Sequence, residues 1–284
     1  MDELVWFEQL DVIPYQDAVL ARGEDNNADE VMRLQRLLDE AGYRCDIDGI
    51  FGGGLERTVR TFQKDHGLIT DGRIGPKTQW AIEHHEKDPL VLSQDDLERA
   101  ARELRVDTPA IMAVNTVESR GSGFFDPMHP AILFERHVMF RRLEHYGLPA
   151  AIHMSKHPDL VNTKTGGYIG GIAEHQRLSR AEKLDEVSAL ESASWGAFQI
   201  MGYHWKRLGY RDVYHFVNQM AKSEAHQLEA FVLFIKADSK LWQALREHRW
   251  ADFAYRYNGK GYRKNAYDTK MADAHRRYTN YAFT

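Results

Sequence analysis

The chain has 284 residues, 43% of them hydrophobic and 28% charged, a composition that suits one large or two unequal water-soluble domains. A formal net charge of −5 argues against a general nucleic-acid binder, and the apolar runs, such as Phe231 to Ile235, are far too short to span a bilayer. A single cysteine, Cys45, excludes an internal disulfide, and the start Met-Asp-Glu-Leu-Val lacks the basic residues of a secretory signal, so a reducing cytoplasm is the expected compartment.

Residues 1–25, acidic and partly apolar, read as a short helix leading into a patterned segment over 17–86. Val31, Leu34, Leu37 and Leu38 form a helical stripe that closes near Gly42. An internal repeat follows. Asp48-Gly49-Ile50-Phe51-Gly52, then Thr58-Val59 and Phe62-Gln63, is matched by Asp71-Gly72-Arg73-Ile74-Gly75, then Thr78, Ala81 and Ile82. In each copy an Asp-Gly turn and a further glycine lead into a helix, so two turn-helix units should pack on the first helix. The charged run from Glu83 to Pro89 sets the expected boundaries: a first domain over 1–86, a linker over 87–91 and a second domain over 92–284. The tandem His84-His85 invites a zinc reading, but no third ligand lies at ligand spacing and no metal is expected there.

Ser93 should cap a helix through Glu103, with Asp95 and Asp96 in its favourable first turn. In the next helix Thr108 reads as the N-cap, Pro109 as the first helical residue and Gly121 as the stop. Glu118 falls in the last turn, where the carbonyl end of the helix disfavours a negative charge. It shares a face with Ile111 and Val114 and should point at the core. A carboxyl placed there loses solvation, its pKa should rise, and it suits a general acid. The competing reading is a surface glutamate on a fraying helix end. Glu135 stands among apolar neighbours and needs a partner, which Arg136 or Arg141 would supply in a purely structural ion pair.

Residues 162–171, rich in glycine, read as a loop or tight hairpin that carries Tyr168 at a cleft rim. Glu174 to Leu190 should be helical. The uncharged run Ser192 to Gly202, with Trp195, Phe198 and Gln199 beside glycines, suits a sugar site, because aromatic faces cover pyranose rings and an amide holds a hydroxyl or N-acetyl carbonyl. Buried helix packing closed by Gly202 is the alternative. A helix over Ala225 to Ala237 and a stripe of Trp250, Ala251, Ala254 and Tyr257, stopped by Asn258-Gly259, complete the chain. The fold class expected is all-α, with at most a small β-hairpin near Tyr168. The basic excess over 240–284 suits an anionic polymer such as a cell wall, or only a solvated helix face.

Two resemblances sharpen this reading. Leu34-Gln35-Arg36-Leu37-Leu38, Gly42-Tyr43, the two Asp-Gly turns, Phe62-Gln63 and Thr78 resemble the three-helix peptidoglycan-binding module of cell-wall hydrolases, with Leu55 in the first copy where Thr78 stands in the second. That resemblance implies bacterial peptidoglycan as the partner and Gln35, Asp48, Phe62 and Asp71 as the module's candidate residues. The order Glu118-Ser119, Gly196-x-x-Gln199-Ile200 and Tyr257-Asn258-Gly259 is similar to that of goose-type lysozymes and soluble lytic transglycosylases. Val117-Glu118-Ser119, Gly123-Phe124, Ile132 to His137, Arg177-Leu178 and Ser194 to Gly202 more closely resemble the N-acetylmuramidase domain of modular phage endolysins, over about Leu92 to Thr284.

The second resemblance implies a larger, lysozyme-like helical domain that hydrolyses the β-1,4 bond between N-acetylmuramic acid and N-acetylglucosamine and so lyses the host. Glu118 takes the role of general acid and Glu135 that of second carboxylate, while Ser119, Tyr168, Trp195, Gln199, Tyr257 and Asn258 line the substrate cleft. No cofactor, metal, nucleic acid or membrane insertion is implied; a monomer waits in the host cytoplasm until lysis. Three rivals stand beside it. A lytic transglycosylase would leave 1,6-anhydro ends without a second carboxylate. A zinc amidase would need a His/His/Asp cluster, which the spacing of His129, His137, His145, His153, His157 and His175 does not announce. A non-catalytic wall-binding or virion protein would need none of these side chains.

Overall fold

The computed structural model describes residues 19–119 and 122–281, so most of the helix expected in 1–25 and the expected stop at Gly121 lie outside the described residues. The chain divides into two compact units, one formed by Pro14–Arg99 and the other containing Ala100–Thr284. The division falls within a helix, beyond the stretch 87–91 expected as linker. Val91 and Leu92 are buried, and the Thr70 amide donates to Gln94 Oε1 at 3.2 Å, which ties the start of that helix to the first unit.

In the first unit α1 (Ala28–Glu40), α2 (Gly53–Asp65) and α3 (Pro76–His84) enclose one core of Val31, Leu34, Leu38, Leu55, Val59, Phe62, Ala81 and Ile82. The repeat read from the sequence is present, and a glutamine organises each copy. Gln35 Oε1 accepts from the Asp48 and Gly49 amides at 3.1 and 2.9 Å, and its Nε2 donates to Asp48 Oδ1 at 2.9 Å. Gln63 Oε1 accepts from the Gly72 amide at 2.8 Å, and its Nε2 donates to Asp71 Oδ1, the Arg73 carbonyl and Thr78 Oγ1 at 2.8, 2.9 and 3.2 Å. Gly49 and Gly72 have φ of +74° and +71°, which a side chain would strain. Leu55 in place of Thr78 removes the hydroxyl acceptor from the first copy and puts a buried methyl pair there instead.

Helix α4 (Gln94–Leu104) opens with a reciprocal cap in which Asp96 N donates to Ser93 Oγ at 3.2 Å and Ser93 N to Asp96 Oδ2 at 2.9 Å. In the second unit α5 (Thr108–Glu118) leads into a hairpin of β1 (Phe124–Asp126) and β2 (His129–Pro130), then β3 (Ile132–Phe134), α6 (Arg136–His145) and α7 (Ala150–Lys156). After an irregular segment come α8 (Ala173–Glu182), α9 (Glu186–Glu191), the hairpin β4 (Ala193–Trp195) and β5 (Ile200–Met201), and a 3-10 turn at Gly202–His204. The chain ends with α10 (Val213–Met220), α11 (Glu224–Lys236), α12 (Ser239–Arg246), α13 (Trp250–Asn258), a 3-10 stretch at Gly259–Asn265 and α14 (Tyr267–Tyr281). Helix α14 packs along α5, where Thr116 Oγ1 and the Tyr278 hydroxyl meet at 2.8 Å.

The structure is predominantly helical, as expected, with several local corrections. The N-cap of α5 is Asp107, whose carboxylate accepts from the Ala110 amide at 3.0 Å; Thr108 is already helical. The expected helix over Glu174 to Leu190 is two helices, because Asp185 caps a new start by accepting from the Ser188 amide at 2.8 Å. Residues 162–171 form no hairpin at Tyr168. The strands are elsewhere, in the antiparallel order β3-β4-β5, so Ser192 to Gly202 is a hairpin rather than a packed helix. In α13 Phe253, not the exposed Ala251, joins Ala254 and Tyr257 on the buried face.

Candidate active site

Glu118 closes α5 and is 9% exposed as a residue, on the face it shares with buried Ile111 and Val114. Asn258 Nδ2 donates to Glu118 Oε1 at 2.7 Å. Asn258 is the last residue of α13, and the Tyr257 hydroxyl beside it donates to the Phe198 carbonyl at 2.9 Å. The end of α13 is thereby fixed to the β4–β5 turn. That turn is held from inside by Gln199, which has φ of +50°: its Oε1 accepts from Ser194 Oγ at 2.7 Å and its Nε2 donates to the Gly196 carbonyl at 2.9 Å. Trp195 is a packing residue, its indole buried and its Nε1 donating to the Leu190 carbonyl at 3.2 Å. Ser119, half-buried, is the C-cap of α5.

The same turn is clamped from below by two buried side chains to which the sequence reading gave no role. Gln227 Oε1 accepts from the Ala197 amide at 2.8 Å and its Nε2 donates to the Gly123 carbonyl at 3.1 Å, while Glu224 Oε1 accepts from the Gly123 amide at 2.8 Å. A Cβ on Gly123 would overlap Gln227 Oε1, and one on Gly196 would come 2.5 Å from Gln227 Cδ. Both glycines are there because the amide needs their space.

Glu135 occupies the N-cap position of α6 at 9% exposure, but its side chain makes no cap. The Tyr168 hydroxyl lies 2.8 and 3.0 Å from its two carboxylate oxygens, and His137 Nδ1 lies 3.1 Å from Oε2, outside hydrogen-bonding alignment. Neither arginine expected as partner takes that place. Arg136 donates to the carbonyls of Lys164 and Thr165 at 3.0 and 2.8 Å, and Arg141 is exposed. Burial, then the adjacent Glu135 charge, pushes the Tyr168 hydroxyl above its usual pKa, so it stays a donor.

The segment carrying Tyr168 is anchored by Glu174, fully buried in α8. Its Oε1 accepts from the Ile169 and Gly170 amides at 2.7 and 3.0 Å, and its Oε2 from the Phe134 amide at 3.1 Å and from Arg177 at 2.7 Å. Arg177 in turn donates to the Phe134 and Asp159 carbonyls at 3.1 and 2.8 Å. The signal in the sequence was a Glu and an Arg three apart on the face that also carries Leu178 and Ala181. Backbone bonds tie the β4–β5 turn to the segment ahead of β3: Gly196 N donates to the Ala131 carbonyl, and Ala131 N to the Gly123 carbonyl, both at 2.8 Å.

The model of the N-acetylmuramidase family matches residues 107–279. The chain belongs to the N-acetylmuramidase family. Ahead of its muramidase domain, residues 27–82 match a putative peptidoglycan binding domain. The crystal structure of the Burkholderia AP3 phage endolysin is similar at 49% identity over 93% of this chain and 99% of that one, with a TM-score of 0.87. Two spore cortex-lytic enzymes are also similar: that of Halalkalibacterium halodurans is 34% identical over 70 residues, and that of Bacillus cereus 36% identical over 66. These matches cover 24% and 23% of this chain, and the chain spans only 21% and 25% of the two enzymes' lengths.

In the module over residues 27–82 a groove of 640 Å³ is lined by Gln35, Arg44, Asp46, Asp48, Arg57 and Thr58, among others. Phe62 and Asp71 do not line it: Phe62 is fully buried in the core and Asp71 shapes the second turn. In the muramidase domain His204, next to β5, is buried with no hydrogen-bond partner at Nε2, and burial, reinforced by the Arg207 charge, pulls its pKa down to about 3. The unfolded chain takes up this proton near pH 6.5 and the folded one does not, so the stability His204 contributes is complete above that pH and declines as the pH falls towards 3. Between pH 7 and pH 5 the loss should be about 2 kcal/mol. Urea unfolding at both values should show it in the wild type and show a flatter dependence in His204→Gln; an equal slope in both proteins would assign the loss to other groups.

Proposed function

We propose that this chain is a phage endolysin that hydrolyses the β-1,4 bond from N-acetylmuramic acid to N-acetylglucosamine, with Glu118 as the general acid. The observation that carries this reading is the buried Glu118, held by Asn258 inside a domain of the muramidase family. Glu118 gives its proton to the glycosidic oxygen as the C1–O bond breaks. Water adds to the oxocarbenium-like C1, and its proton passes to Glu135. Helix geometry supports this division of labour, because Glu118 sits at the carbonyl end of α5, which disfavours charge, and Glu135 at the amide end of α6, which favours it.

In this reading residues 1–86 hold the enzyme on peptidoglycan, 87–91 connect, and 92–284 cut. Gln35 and Asp48 act through the groove they line, and Phe62 and Asp71 through the shape of the module. Ser119, Tyr168, Trp195, Gln199, Tyr257 and Asn258 build the cleft, some by contact and Trp195 by packing. The protein is a monomer whose reaction needs no cofactor, and it stays in the host cytoplasm until release at lysis.

Mass spectrometry of fragments released from purified peptidoglycan tests the chemistry. Hydrolysis should give reducible N-acetylmuramic acid ends, and Glu135→Gln should slow their release. Anhydro ends, or full activity in Glu135→Gln, would transfer the reaction to a transglycosylase mechanism. Free stem peptides would overturn the glycosidase reading altogether.

A further inference from the structure

At the far end of α5 from Glu118, three side chains that the reaction does not use converge. Asp107 caps α5, His248 lies in the turn between α12 and α13, and His275 projects from α14; they are far apart in sequence and no spacing announces them. Asp107 Oδ2 lies 2.9 Å from His275 Nε2, and Asp107 Oδ1 lies 3.3 Å from His248 Nε2. One ligand atom from each of the three falls within 4.8 Å of the others. Ligand atoms on a tetrahedral zinc ion, at about 2.0–2.2 Å from the metal, are separated by roughly 3.3 Å, so the cluster needs only small side-chain rotations to close on an ion.

The surroundings fit the same reading. The two imidazoles are adjacent, with centroids 4.2 Å apart, and Trp250 lies nearly parallel to His248 and 5.3 Å from His275, walling one side. His248 takes φ of +51°, a conformation few residues other than glycine adopt. Asp107 Oδ1 also accepts from the Ala110 amide, a backbone bond of the kind that orients metal-binding carboxylates. The side chains of Asp107, His248 and His275 are 42%, 37% and 16% exposed, so an ion reaches them from water and keeps an open position. Two imidazoles and one carboxylate select zinc and its neighbours over magnesium or calcium, which favour all-oxygen sites.

We propose that Asp107, His248 and His275 form a binding site for one divalent transition-metal ion of the zinc class, which clamps the start of α5 to α14 and to the turn before α13. Glu118 lies eleven residues along α5, roughly 16 Å away at the rise of a helix, so the ion braces the elements that carry Glu118 and Asn258 and takes no part in bond cleavage.

The test uses the full chain, stripped with a chelator and titrated with zinc chloride by calorimetry and by thermal unfolding. One ion per chain should bind, with a melting temperature raised by roughly 5 °C at a hundredfold excess over the dissociation constant. Asp107→Asn keeps a capping oxygen but loses the carboxylate ligand, and it should weaken zinc binding at least tenfold, as should His275→Gln. Absence of zinc uptake by the wild type would overturn the site, and so would an equal response to magnesium. Uptake in Asp107→Asn and His275→Gln equal to that of the wild type would also overturn it, by placing the ion on other histidines.

Discussion

Glu118→Gln is expected to lower kcat on peptidoglycan by about 10²–10⁴-fold, the range over which a positioned general acid contributes. The substitution is close to isosteric. The glutamine carbonyl still accepts from Asn258 Nδ2, which now lies 2.7 Å from Glu118 Oε1, so the end of α5 and the end of α13 stay joined. What disappears is the proton that the leaving oxygen needs. Binding to intact cell walls, carried by the first domain in this reading, should therefore be unchanged, and the melting temperature should stay within a degree or two of the wild type. Turnover measured on solubilised glycan strands is the decisive quantity: activity within tenfold of the wild type would remove Glu118 from the acid role. Loss of wall binding together with activity would point to a folding defect rather than to chemistry.

The second large effect is structural. Glu174→Ala leaves the Arg177 guanidinium, 2% exposed, without its carboxylate, and strips the acceptor from the Phe134, Ile169 and Gly170 amides. Removing one partner of a buried ion pair costs about 3–5 kcal/mol, which in a domain of this size is a fall in melting temperature of roughly 6–20 °C. Turnover should fall with it, even well below the melting point. The amides of Ile169 and Gly170 fix the backbone next to Tyr168, and Tyr168 in turn holds Glu135. Replacing both members of the pair, Glu174→Ala with Arg177→Met, should recover part of the stability but little of the activity, because the loop anchors stay lost. Scanning calorimetry of the three proteins checks this; a single-mutant shift under 3 °C would mean that water takes over the role of the carboxylate.

What could be read in advance depended on how local the cause was. The Asp-Gly repeat and the stripe of Val31, Leu34 and Leu38 are written within one turn or one helix, and they appear in the structure as read. The stripe of Ile111, Val114 and Glu118 likewise predicted a glutamate turned inward, and Glu118 is buried. The failures have distant causes. Glu135 sits beside two arginines in sequence, yet its partner is a tyrosine 33 residues away, brought there by a loop that Glu174 anchors. The β4–β5 hairpin escaped because strands of three and two residues, buried throughout, show no alternation between faces. Its Trp-Gly-x-x-Gln run resembled a sugar surface, whereas Trp195 and Gln199 chiefly hold the turn that supports Tyr257 and Asn258. At the start of α5 two adjacent capping residues, Asp107 and Thr108, competed, and the helix began one residue earlier than read.

The two glutamines of the first unit also bear on how the chain acquires its structure. Gln35 and Gln63 close their turns across only 8 to 15 residues, so each half of that unit is knitted by short loops. In the second unit the register of β3 with β4 joins Ile132 to Trp195, and the clamp on Gly123 comes from Gln227, 104 residues on. Closing such loops spends chain entropy before any contact returns it, and folding rates fall as contacts become less local. The first unit, which also leaves the ribosome first, is therefore built to be complete while the cutting domain is still being assembled.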